Sequence, residues 1–213
     1  MKSLLDNIRK PDKSDSVARQ IIQSIFVFIT GLLLGALSKH LDYIPSNELP
    51  YLIEVLDLRN FFGRLAAWIL LAVILSVYSK TPVRAGINTF LFFTGLLVSY
   101  YAYTIFIAGF FPKSYILIWI GLTLLSPFLA FICWYAKGEG KASLIISAVI
   151  IGALFVQAFS FGIYYFGVSY YLEVIVWLIA VILLYKNPGQ LAAMMSISLV
   201  VAIILKIILP FGL

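Results

Sequence analysis

Seven strongly apolar stretches, separated by short links, fill this chain from about residue 20 onward. A helix needs about 20 apolar residues to cross ~30 Å of hydrocarbon at ~1.5 Å per residue. In runs of this length, the helix is the structure that satisfies every backbone polar group inside a bilayer. The predicted spans cover residues 21–38, 61–79, 87–111, 115–136, 142–161, 168–185 and 191–210.

These stretches predict an all-α integral membrane protein, a bundle of seven transmembrane helices. Six spans are the alternative, because the link at residues 161–167 contains no charge and only two glycines. Composition agrees, since 63% of the 213 residues are hydrophobic and 11% are charged, against roughly 25% charged in a soluble domain. We expect residues 1–20 to form a basic N-terminal segment and residues 21–213 a single transmembrane domain.

The charges predict the orientation of the bundle. With the N-terminus in the cytoplasm, ten Lys and Arg residues fall on the cytoplasmic side and five on the outer side, which agrees with the positive-inside rule. The net charge of +6 does not indicate nucleic-acid binding, because the charges lie at the ends of apolar stretches rather than on one basic domain. One cysteine, Cys133, and one histidine, His40, predict neither a metal site nor a cofactor.

The longest hydrophilic link, residues 39–60, lies on the predicted outer side. Ser46 and Asn47 provide a helix-capping signal, and Pro50 suits the first turn that follows. Apolar residues at positions 51, 55 and 58 would share one helix face. This pattern predicts an amphipathic helix on the outer interface, and a simple connection is the alternative.

Polar side chains inside the predicted spans are the strongest pointer to function, because a charge there costs about 2.5–3.5 kcal/mol on insertion scales. Counting ~1.5 Å per residue from the inner helix ends places the most unusual of them ~20–24 Å up, in the outer third of the bilayer. No catalytic residue is predicted among them. The candidate ligand-binding residues are Arg64, Tyr100, Gln157, Glu173 and Lys206.

Glu173 and Lys206 are the sharpest pair in this layer. The Asn-Pro-Gly turn at residues 187–189 predicts that the last two spans are antiparallel neighbours. The two charges then approach each other at similar depth, and we predict a Glu173–Lys206 ion pair that Arg64 is placed to join. The alternative is a structural polar layer in which Lys206 reaches to the interface and the tyrosines form an aromatic belt.

Several short motifs are similar to those of a bacterial group. They are WILL at 68–71, SVYSKTPVRA at 76–85, NTFLFF at 88–93, SYY at 99–101 and WYAKG at 134–138. Over roughly residues 25–140 the chain resembles a group of small polytopic membrane proteins of Gram-positive bacteria to which no activity is assigned. The resemblance implies a location in the bacterial plasma membrane and supplies no function.

Three functions fit these features. The first is binding or transport of a small solute through a polar cavity open to the outside. The second is a non-catalytic accessory or scaffold subunit, in which Gly31 and Gly35 form a small-residue face for a membrane partner or a second copy. That face serves equally well for packing within the chain. The third is an intramembrane enzyme acting on lipids, with Glu173 as its acid or base.

Overall fold

The computed structural model describes residues 4–45, 48 and 50–208, most of which are helical. An antiparallel hairpin of β1 (Phe159–Phe161) and β2 (Phe166–Val168) joins the seventh helix to the eighth. The helices are α1 (Val17–Tyr43), α2 (Tyr51–Val55), α3 (Leu58–Gly63), α4 (Leu65–Val77), α5 (Pro82–Phe106), α6 (Lys113–Trp134), α7 (Gly140–Ala158), α8 (Tyr171–Leu184) and α9 (Pro188–Ile208).

Five of these helices, α1, α5, α6, α7 and α9, are long and apolar enough to cross a membrane. The chain is therefore a helical, multi-pass membrane protein, as the apolar stretches predict. The predicted count of seven spans is not confirmed, because the helices in the other two predicted spans are shorter than this. Helices α4 and α8 are apolar but contain only 13 and 14 residues, which extend over ~20 Å.

Local breaks explain why two predicted spans are short. The stretch at 61–79 is interrupted at Arg64, whose extended backbone (φ −95°, ψ 160°) separates α3 from α4. The stretch at 168–185 becomes helical only at Tyr171, because the residues before it form the β-hairpin. Aromatic residues favour strands and glycine favours turns, and the Gly162 N–H closes the turn on the Tyr165 carbonyl at 2.8 Å.

The link at 39–60 differs from the single amphipathic helix predicted for it. Helix α1 continues to Tyr43, and Ser46 and Asn47 lie outside the described residues. Beyond them, α2 and α3 meet at Asp57, which has a left-handed backbone with φ 52°. Aspartate tolerates this conformation because its short side chain bonds locally. Here the carboxylate accepts a hydrogen bond from the Asn60 side-chain amide at 2.6 Å.

The bundle has two chemically different ends. The basic end contains the segment 4–16 and the links around residues 78–81, 135–139 and 185–187. These pieces touch, since the Asp12 N–H donates to the Lys80 carbonyl at 2.9 Å and the Glu139 N–H to the Ile8 carbonyl at 2.6 Å. The opposite, hairpin end contains residues 44–45, 50–57 and 107–112 together with the β-hairpin.

Arg9 fixes the N-terminal segment to the basic end. Its guanidinium donates to the Trp134 carbonyl at 2.7 Å and to the Val77 carbonyl at 3.0 Å, and it lies 4.0 Å above the Trp134 ring. These carbonyls end α6 and α4, where a cation complements the helix dipoles. Burial lowers the pKa of the Arg9 guanidinium, although an arginine remains charged under ordinary conditions. The segment is thus packed onto the bundle.

Helices α1 and α5 pack closely through small residues. A Cβ at Gly31 would lie 2.1 Å from the Phe92 carbonyl oxygen, and one at Gly35 would lie 2.3 Å from that of Leu96. Such small-residue faces let two helix backbones approach closely inside a membrane. The Gly31/Gly35 face therefore serves packing within the chain in this structure.

We expect Gly31→Ala to lower the free energy of unfolding by about 1–3 kcal/mol, because the added methyl group overpacks the contact with α5. Gly121 on α6 is the matched control, since a Cβ there meets no atom within 4 Å. Gly121→Ala should leave the melting temperature unchanged or raise it slightly, because alanine favours helices. Thermal unfolding in nanodiscs measures both variants, and equal melting temperatures would contradict the close α1–α5 contact.

Candidate functional site

Arg64 and Glu173 form a buried ion pair at the hairpin end. The Arg64 Nε donates to Glu173 Oε1, and Nη1 donates to Asp57 Oδ2 at 2.9 Å. The guanidinium also lies 3.8 Å from the centre of the Tyr170 ring. The Glu173 side chain is 0% exposed, so its charge is balanced by Arg64 rather than by water.

The two short helices bring this pair together. Arg64 directly precedes α4, Glu173 lies in the first turn of α8, and the two helices pack against each other. A carboxylate in the first turn also interacts favourably with the helix dipole. Glu173 Oε2 is buried and has no hydrogen-bond partner within the residues that the structure describes. The carboxylate therefore depends strongly on Arg64.

The predicted Glu173–Lys206 ion pair is wrong. Lys206 Nζ instead donates to the Tyr165 hydroxyl at 3.3 Å and lies 4.3 Å from the centre of the Phe161 ring. The physical reason is helix order, since α9 packs along α7 instead of lying beside α8 as the short turn suggested. Gly152 permits this contact, because a Cβ there would come within 2.8 Å of the Ser198 carbonyl oxygen.

The five predicted ligand-binding residues therefore do not share one site. Arg64 and Glu173 form the ion pair, while Lys206, on α9, contacts the exposed hairpin. Gln157 is buried next to the C-terminal residue of α7. Tyr100 lies elsewhere at the hairpin end, on α5, where it lines a cavity.

This cavity, called here the aromatic cavity, has a volume of about 90 Å³. Tyr100 donates its hydroxyl to Asp42 Oδ2 at 3.4 Å, and Lys39 donates to the same carboxylate oxygen. The Tyr101 hydroxyl is buried without a hydrogen-bond partner among the described residues. The wall contains six aromatic side chains beside these polar groups. The lining residues are Ser38, Asp42, Arg59, Phe62, Gly63, Trp68, Leu96, Leu97, Tyr100, Tyr101, Tyr115 and Trp119.

Sequence reasoning missed the Lys39–Asp42 pair, which it placed in a solvated link. In the structure α1 runs on to Tyr43 and buries Lys39, whose Nζ lies 5.3 Å from the centre of the Tyr100 ring. The signal was the spacing, because opposite charges three residues apart are neighbours on one helix face. Glu173 is not among the residues that line the aromatic cavity.

Comparison with known proteins finds no family model, no curated protein and no solved structure that matches this chain. Among the residues that the structure describes, no three His, Cys, Asp or Glu side chains are grouped so as to hold a metal ion. The hairpin end carries the Arg64–Glu173 ion pair, the Asp42 carboxylate and the ring faces of the aromatic cavity.

We expect a double-mutant cycle to detect the Arg64–Glu173 pair. Arg64→Met should cost about 3–5 kcal/mol, because it leaves a buried carboxylate unbalanced. Combining it with Glu173→Met should cost less than the sum of the single changes, since interacting sites are not additive. Chemical unfolding in detergent micelles gives the free energies.

Lys206→Met is the matched control for this cycle. Its Nζ bonds an exposed tyrosine, so the change should alter stability by no more than about 0.5 kcal/mol. The free-energy changes of Lys206→Met and Glu173→Met should also be additive in the double variant. Strong coupling between Glu173 and Lys206, with none between Glu173 and Arg64, would contradict the observed pairing.

Proposed function

We propose that this chain is a small-solute binding or transport protein of the bacterial plasma membrane, and that the solute occupies the aromatic cavity. The observation that carries the proposal is the combination of six aromatic side chains with the Asp42 carboxylate around one cavity. Ligand sites are typically concave and mostly apolar, with a few convergent polar groups. Of the five residues predicted from sequence, Tyr100 belongs to this site.

We also propose seven spans with the basic end in the cytoplasm. Helices α3 and α4 together cover residues 58–77, and 20 residues reach ~30 Å. The three-residue hairpin strands before α8 add ~10 Å to its length. Helix and hairpin together therefore form a second span made of two elements. The basic end carries most of the cationic links, in keeping with the positive-inside rule. The aromatic cavity then faces the outer side.

The cavity favours a compact solute that carries opposite charges or hydrogen-bonding groups. Its volume of about 90 Å³ limits the solute to a small one. Aromatic faces attract ammonium groups and flat rings, and Asp42 offers a carboxylate. Arg59 also lines the cavity, and its charge favours an acidic group on the solute. Small zwitterions, such as amino acids and betaines, combine these features.

An accessory or scaffold role is the second candidate. It is favoured by the hairpin tip, where Ile163 is 92% exposed and Tyr164 is 95% exposed, because large exposed apolar patches mark interaction sites. The third reading, a lipid-modifying enzyme with Glu173 as its acid or base, loses support. A fully buried carboxylate held by Arg64 has no access to a substrate.

A thermal-shift screen of the purified protein against amino acids, betaines and small ammonium compounds tests the proposal. A solute present at 100 times its Kd stabilises a protein by about 2.7 kcal/mol. At ~2–4 °C per kcal/mol for a chain of this size, we expect at least one compound to raise the melting temperature by roughly 5–10 °C.

Gly63→Leu provides the specific test of the site. Gly63 lines the aromatic cavity and has open space where a side chain would begin, so leucine should narrow the cavity and abolish the shift. Gly121→Leu is the matched control, because Gly121 is equally open and lies outside the cavity lining. An unchanged shift in Gly63→Leu, or no shift with any compound, would count against the proposal.

A further inference from the structure

A second and larger cavity lies at the basic end, between α1 and α4 on the face of α5. Its volume is about 270 Å³, and we call it the basic-end cleft. Both α1 and α4 pack against α5, and their lining residues face the space between them. The lining residues are Ser14, Asp15, Gln20, Gln23, Phe26, Val27, Ile74, Leu75, Tyr78, Ser79, Lys80, Arg84 and Asn88.

The lining changes from polar to apolar with depth on both walls. On α1 it passes from Gln20 and Gln23 to Phe26 and Val27, positions that recur on one helix face. The opposite wall passes from Lys80, just beyond α4, to Leu75 within it. The seven steps along the helix from Gln20 to Val27 rise ~10 Å. The cleft therefore suits a molecule with a polar head near the basic end and an apolar body deeper in the bundle.

The polar part of the cleft carries surplus positive charge. Arg84 Nη2 donates to the Gln20 carbonyl at 3.0 Å, to Ser24 Oγ at 2.7 Å and to Asn88 Oδ1 at 3.0 Å. All three acceptors are neutral, and no carboxylate forms a salt bridge with Arg84 in the described residues. A partly buried cation with neutral partners attracts an anion.

The acidic residue of the cleft does not cancel this charge. Asp15 accepts from Lys80 at 2.8 Å and from Arg19 at 3.2 Å, so one carboxylate faces two cations besides Arg84. These bonds hold the pKa of Asp15 below its ordinary value, with Lys80 as the largest cause. Arg84 also lies in the first turn of α5, after the Thr81 cap, where the helix dipole adds positive potential.

We propose that the basic-end cleft binds an anionic phospholipid, with its phosphate near Arg84 and Lys80 and an acyl chain between α1 and α4. Arginine and lysine are the usual partners of phosphate, and basic pockets between helices at a membrane surface bind anionic head groups. Phe26 and Tyr78 flank the cleft with side chains that are largely exposed, as lipid-facing groups of a spanning helix are. The site is independent of the aromatic cavity at the other end.

Native mass spectrometry of the detergent-solubilised protein tests this proposal. The protein is mixed with equal amounts of phosphatidylglycerol and phosphatidylcholine, and the retained copies of each lipid are counted. We expect about a tenfold preference for phosphatidylglycerol, which is the effect of about 1.4 kcal/mol. Equal retention of the two lipids by the wild-type chain would overturn the proposal.

Variants assign the preference to the cleft. Arg84→Gln should reduce it to near parity, and Lys141→Gln, an exposed lysine at the same end, should keep it. Because Arg84 also ties α5 to α1, Lys80→Gln is the second variant; its lysine is 44% exposed, and we expect a smaller loss. A preference that survives in both cleft variants would place the lipid elsewhere and overturn the proposal.

Soluble phosphate distinguishes a lipid from a free anion. Inorganic phosphate and glycerol phosphate, each added in millimolar excess, should displace little phosphatidylglycerol, because they lack the apolar body that the deeper lining accepts. Full displacement of the lipid by either compound, with the same dependence on Arg84, would show a phosphate site without a lipid and overturn the assignment. If the lipid proposal fails, the thermal-shift test of the aromatic cavity still stands, because the two cavities share no lining residue.

Discussion

The Arg64–Glu173 ion pair is the constraint on which the hairpin end depends. A carboxylate with no exposure is stable in an apolar bundle only when a cation and hydrogen bonds compensate for lost water. The pair forms where two helices begin, since α4 starts directly after Arg64 and α8 starts two residues before Glu173. Asp57, which has a left-handed backbone, contributes a second carboxylate to the same guanidinium. Helices α4 and α8 thus begin side by side, and Arg64 balances the charges of Glu173 and Asp57.

The parts of this structure that the sequence predicts are those that depend on composition and length. Five of the seven apolar stretches form helices of membrane-spanning length because burial in lipid needs only apolar residues in sufficient number. Arg64 and Glu173 can be singled out from sequence because a charge in a bilayer is costly. Partner choice does not follow, because it depends on which helices are neighbours. A short turn suggested that α8 and α9 pair, whereas α9 lies along α7 and leaves Lys206 with Tyr165.

The two cavities lie at opposite ends and differ in chemistry. The aromatic cavity combines ring faces with one carboxylate that Lys39 already contacts, which suits a compact solute of mixed charge. The basic-end cleft combines amides and cations with an apolar wall, which suits an amphiphile. Both lie against α5, which also receives α1 through the Gly31 and Gly35 contacts. Helix α5 is therefore the common wall of both proposed sites.

The most direct test of this account is the distance between Arg64 and Glu173 in a lipid bilayer. Rotational-echo double-resonance NMR can measure it on protein carrying ¹⁵N-arginine and ¹³C-glutamate, with Glu173→Gln identifying the signal. We predict strong dephasing of the Glu173 carboxyl carbon by arginine nitrogen, as expected for an ion pair within about 4 Å, and its loss in Arg64→Met. Dephasing by ¹⁵N-lysine instead, abolished by Lys206→Met, would contradict the helix order and the ion pair on which the hairpin end depends.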